Sequence, residues 1–141
     1  MLITERKGLT LIELIVCTVI IGILSTTALP LAKNVVRHQK EAVLFERLTE
    51  MRKAIDAFHA RKSVQEPGLS DKEYYPVKLE DLVEARLLRK IPVDPFTGEP
   101  DWKTRSSTDD PDSQISNMLN VFDVFSASPD TDLKGRPYQN W

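Results

Sequence analysis

Glu13 is the residue whose type and setting most demand a chemical account. It is the single charge in GLTLIELIVCTVIIGIL, residues 8–24, and nothing inside that run can pair with it. A carboxylate at the centre of a membrane-crossing helix costs about 2.5–3.5 kcal/mol on insertion scales, and less near the interface. An acid in such a place calls for a cationic partner, and the chemistry it offers is ion pairing. Other reactive side chains point to less. His38 and His59 both fall on the same expected helix, too far apart to converge if it is straight, and His59 is expected on a solvated flank. Cys17, the one cysteine, sits inside the apolar run and reads as a small hydrophobe; alone it makes neither an intrachain disulfide nor a cysteine zinc site. There is no nucleophile elbow, phosphate-binding glycine loop or HExxH, so an enzyme is not expected.

The elements that must position Glu13 follow from the charge pattern. The chain has 141 residues and a net charge of -2, which suggests one domain and leaves no basic footprint for nucleic acid. Charge is unevenly spread: between Leu9 and Ala32 only Glu13 is charged, and from Lys33 onward Lys, Arg, Asp and Glu abound. The run 9–32 spans roughly 36 Å as a helix, enough to cross a bilayer core of about 30 Å with some tilt. Arg6 and Lys7 abut its leading edge and predict that this end stays in the cytoplasm, with the polar body on the other side. A cleaved signal peptide, with Thr26-Thr27-Ala28 as a weak site, and a plain signal anchor are both compatible with the run, but neither explains Glu13.

Leu44, Leu48, Met51, Ile55 and Phe58 then recur at spacings of four and three, one apolar stripe on a continuing helix. The stripe is short for a coiled-coil seam and is expected to pack on the protein's own head. The spacing predicts one helix from about residue 9 to residue 61 or 62, roughly 80 Å long. Pro30 should kink or locally melt it, unless neighbouring helices satisfy the freed groups, and Gly22 adds softness. Beyond it, 63–70 reads as a loop, 79–85 as a short amphipathic helix, 94–98 as a turn cluster, 106–113 as a polar loop and 121–125 as a strand. Trp141 is expected to be buried. The fold class is α+β: a long N-terminal helix on a small antiparallel sheet of about three strands.

The string Lys7-Gly8-Leu9-Thr10-Leu11-Ile12-Glu13-Leu14 resembles the type III signal of type IV pilins and type II secretion pseudopilins. The resemblance implies cleavage by a prepilin peptidase between Gly8 and Leu9 and N-methylation of Leu9; the family usually has Phe where Leu9 stands. It also implies a glutamate fifth after the cut, matched by Glu13, and a proline some five turns on, matched by Pro30. Glu13 of one subunit would pair with the new amine of Leu9, on a neighbour or on itself, and act as a register pin in a filament. Tyr75-Pro76, Leu87-Leu88, Ile91-Pro92, Asp94-Pro95 and Asp123-Val124-Phe125-Ser126, with the final Trp, are similar to the major pseudopilin of type II secretion. Type IVa pilins usually carry a C-terminal disulfide loop, which one cysteine cannot form.

In such pseudopilins a loop near the C-terminus binds Ca²⁺, and the residues that line up are Ser126 and Asp130, with Asp132 close by. Against this, Lys134-Gly135-Arg136 replaces the second acidic cluster and weakens a cation site, and Asp130 and Asp132 also suit simple turns.

The resulting expectation is a leader at 1–8, a transmembrane or filament-core helix at 9–32, its amphipathic continuation at 33–62 and a pseudopilin head at 63–141. The implied function is a structural subunit of a periplasmic pseudopilus driving export across the outer membrane. Its implied partners are copies of itself, minor pseudopilins, the inner-membrane platform protein with its cytoplasmic ATPase, and the peptidase. The implied location is the bacterial inner membrane, with the N-terminus cytoplasmic and the head periplasmic. A type IV pilus or DNA-uptake minor pilin, and a membrane-anchored binding domain that never polymerises, remain open beside it.

Overall fold

The computed structural model describes residues 8–110, 113 and 115–141, apart from the side chains of 27 and 29. Most of the expected leader, including Arg6 and Lys7, and residues 111–112 of the expected polar loop lie outside the described residues. The chain divides into two units, Met1–Gln39 and Lys40–Trp141. Helix α1, Leu11–Gln65, belongs partly to each.

In the first unit the stretch 14–32 of the helix carries no charge, and its large apolar side chains, from Leu11 to Leu31, are exposed. The few hydroxyls satisfy themselves locally: Thr18 donates to the Ile15 carbonyl at 2.8 Å, Ser25 to Ile21 at 2.7 Å and Thr26 to Ile23 at 2.7 Å. Polar groups turned back onto the backbone in this way need no water. It is the one helix among the described residues long and apolar enough to cross a membrane. Pro30 lies inside α1 and does not end it. Helical geometry runs through it in the single chain, where one missing donor costs one hydrogen bond while the turns on either side hold theirs.

In the second unit the predicted stripe is the core. Leu44, Leu48, Met51 and Ile55 are buried, Phe58 partly so, against Leu79, Leu82, Leu88, Trp102, Val121, Val124 and Tyr138. Helix α1 runs to Gln65, slightly past the expected end, before Pro67 and Gly68 (φ 104°) turn the chain. The short helix α2 spans Glu80–Glu84, within the predicted segment. Asp81 receives the amides of Val77 and Lys78 at 2.8 and 3.0 Å at its start. It ends with Arg86 donating to the Val83 carbonyl and Leu87 to that of Leu82, a Schellman closure. Arg86 takes the left-handed position (φ 59°) that glycine usually fills.

The sheet has two antiparallel strands, β1 (Trp102–Arg105) and β2 (Asp123–Ser126), with Trp102 opposite Ser126 and Arg105 opposite Asp123. Strand β1 was not anticipated and β2 starts later than expected. The third expected strand is not among the described residues: the segment after β2 carries Pro129, Gly135 and Pro137 and closes on itself, making one isolated bridge, Thr131 to Pro137. Prolines lack the donor a ladder needs.

The loop between the strands is organised by two side chains. Asp109 accepts the amides of Ser106 at 2.7 Å and Asn117 at 2.9 Å. Asn120, buried, accepts from the Ser106 hydroxyl and the Ser107 amide and donates to the Lys72 carbonyl at 2.8 Å. The Asn117 amide, helped by Ser106 and Ser116 and opposed by desolvation, holds the Asp109 carboxyl below its ordinary 3.8.

Leu48→Ala should lower stability by about 2–5 kcal/mol, measured by denaturation of the full chain in detergent micelles, because the cavity lies where α1 meets the head. A depressed carboxyl contributes stability that is present above its ordinary pKa and lost as pH falls through the lower folded value. Asp109→Asn should therefore melt lower than wild type at neutral pH and lose less further stability on acidification below pH 3.8, read from melting curves across that range.

Candidate functional site

Two places carry the residues singled out in the sequence. In the first unit, Gly8 and Leu9 precede the helix in irregular, exposed backbone, and a side chain at Gly8 would meet nothing within 4 Å. Thr10 is the residue just before α1, and its hydroxyl accepts the Glu13 amide at 3.3 Å. Thr10-x-x-Glu13 has the spacing of a capping box, with Glu13 at the third helical position. This role for Thr10 was missed, although its signal lies in the sequence. An acid in the first turn gains about 0.3–1 kcal/mol from the helix dipole. The cap and the dipole supply no full countercharge, so they leave the carboxylate without an ion-pair partner. Among the described residues no cation lies within ion-pair distance of its carboxylate. Cys17 and Pro30 are exposed on the same helix.

In the second unit, Ser126, Asp130 and Asp132 have separate surroundings. The Ser126 hydroxyl, buried, donates to Oδ2 of the buried Asp94, whose Oδ1 takes the Phe96 amide at 2.8 Å. Asp130 is exposed; its amide bonds the Ser128 hydroxyl and its carbonyl accepts from Tyr138. Asp132 spends both oxygens within its own turn. Oδ1 takes the amides of Lys134 and Arg136, each at 2.8 Å, and Oδ2 the Arg136 Nε at 2.7 Å. Burial pushes the Asp132 carboxyl up, and these bonds outweigh it and hold it below the ordinary 3.8. A Ca²⁺ shell needs six to eight free oxygens, and this arrangement does not fit one.

The long-range ties of the head were not legible beforehand. Tyr138 is buried, stacked on Phe96 at 4.1 Å, and its hydroxyl donates to Glu41 at 2.8 Å. Arg52 donates to Asp123 at 2.7 Å and to the carbonyls of Val124 and Trp141 at 3.2 and 2.6 Å. Trp141, expected to be buried, is half-buried edge-on to Tyr138 at 5.3 Å; Tyr138 takes the interior place. His59 is not a freely solvated flank: it contacts Asp71 at 2.9 Å and packs on Tyr74 and Tyr75.

Among the described residues no cluster of three or more His, Cys, Asp or Glu could hold a metal, and the one cysteine is free. The prokaryotic N-terminal methylation motif matches residues 4–29. No curated protein and no solved structure matches the chain. That motif implies processing by a prepilin peptidase and association with membrane machinery. The methylation motif, a long helix with an apolar first part and a small two-stranded head are features that fit the broad type IV pilin and pseudopilin pattern.

Proposed function

We propose that the protein is a pseudopilin, cut between Gly8 and Leu9, methylated on Leu9, and assembled into a periplasmic filament of a type II or type II-like secretion system. The observation that carries this reading is the methylation motif over residues 4–29, which spans both the cut and Glu13. The apolar surface of α1 fits a membrane-resident precursor whose side chains later pack against copies of itself. Arg6 and Lys7 favour a cytoplasmic N-terminus and a periplasmic head. A single cysteine and the tail pieces from Tyr75-Pro76 to Asp123-Val124-Phe125-Ser126 favour a pseudopilin, and its major form, over a pilus subunit.

In this mechanism the leader holds the precursor unpaired, because no free amine exists at Leu9. Cleavage creates the cation and Glu13 receives it. Correct docking then satisfies a charge that a slipped register leaves bare, at a cost of about 3–5 kcal/mol. The platform protein and its ATPase add subunits, minor pseudopilins complete the filament, and growth pushes cargo outward.

Intact mass of protein from its native membrane should begin at Leu9 with one added methyl group. A full-length species in cells with an active peptidase would overturn the reading in favour of an anchored binding domain. Glu13→Gln keeps a side chain able to complete the helix cap but removes the charge. It should be processed normally yet fail to form filaments in sheared or crosslinked fractions, as should Glu13→Ala; filament formation by the Gln variant would mean that Glu13 serves only the cap. If deletion abolishes twitching or DNA uptake and leaves secretion intact, the subunit belongs to a pilus.

A further inference from the structure

The segment that resembles a calcium loop is closed by bonds from its own chain. Asp132 and Gly135 are joined by a tight turn, the Gly135 amide on the Asp132 carbonyl at 3.0 Å, with Gly135 at φ 78°. The Asp132 amide returns to the Arg136 carbonyl at 2.8 Å, and Thr131 bridges Pro137. This is a three-residue hairpin whose glycine takes the left-handed position. Inside it lies the Asp132 side chain, 4 % exposed, while the Arg136 side chain that pairs with it is 65 % exposed. Past the hairpin, Tyr138 leads into the core and bonds Glu41, and the Arg136 guanidinium sits 5.8 Å over the Trp141 ring.

A buried carboxylate needs a cation and a full set of donors. Here two amides fill one oxygen and a guanidinium nitrogen fills the other. An incoming divalent ion would meet the positive charges of Lys134 and Arg136 and would have to displace bonds already made. We propose that Arg136 is the built-in cation of this loop: its guanidinium neutralises Asp132, fixes the 130–138 segment against the core, and makes the head independent of calcium. The consequence is that head stability, and anything that depends on the loop's position, does not respond to the calcium level outside the cytoplasm.

The test uses the full chain in detergent micelles, melted across a CaCl₂ titration up to about 20 mM, well above the roughly 0.1–1 mM range of calcium modules outside the cytoplasm, and again in EGTA. Wild type should melt at the same temperature in both. Arg136→Ala should lower the midpoint by roughly 4–8 °C, the scale of one lost charge-assisted bond in a head of this size. Asp132→Asn should cost a similar amount, and the double variant little more than either, as coupled partners require. Saturable stabilisation of wild type by CaCl₂ would overturn the proposal, and so would an Arg136→Ala midpoint equal to wild type. If Arg136→Ala fails to fold, Arg136→Lys, which keeps the charge, should fold and melt closer to wild type than Asp132→Asn does, and a Lys variant as destabilised as Asp132→Asn would overturn the role of the charge.

Discussion

Burial of one helical row, Leu44, Leu48, Met51 and Ile55, is the constraint on which the head depends. The head is too small to build an independent interior from two four-residue strands and a five-residue helix. Its apolar side chains, Leu82, Leu88, Val121, Val124 and Tyr138, therefore share one cluster with that row. A large side chain fully removed from water contributes about 1.5–3 kcal/mol, and no polar contact in the head has comparable reach. The polar ties act as orientation instead. Arg52 gathers β2 and the Trp141 carbonyl, and Glu41 receives the Tyr138 hydroxyl, so the strand and the tail each have one place to sit.

The two units handle charge in opposite ways. In the second, every strongly buried acid discussed here is answered nearby: Asp94 by Ser126 and the Phe96 amide, Asp132 by two amides and a guanidinium. Folding completes those sets, so they contribute to a fixed conformation. In the first, Glu13 has the Thr10 cap next to it but no cation among the described residues. The dipole of the first turn offsets only part of the cost of such a charge in an apolar medium. Glu13 lies exposed on the helix, so its carboxylate is open to a partner from outside the chain.

What the sequence determined by itself is whatever depends on local period and composition. The apolar run, the four-three stripe from Leu44 to Phe58, the short helix around Leu82 and the Gly8-Leu9…Glu13 motif are each written in contiguous residues, and helix geometry turns such spacing directly into a face. The Thr10-x-x-Glu13 cap was legible in the same way and went unread. Only the tertiary structure decided what depends on residues far apart in the chain. Strand β1, in Trp102–Arg105, has no alternation strong enough to declare itself and exists because β2 pairs with it. Asn120 meets the Lys72 carbonyl, Arg52 meets Asp123, and Tyr138 rather than Trp141 fills the core, because chain closure brings them together. The same holds for Ser126, Asp130 and Asp132. Their oxygens look alike in sequence, but the fold gives Ser126 to Asp94, closes Asp132 within its own hairpin on two amides and the Arg136 guanidinium, and leaves Asp130 exposed.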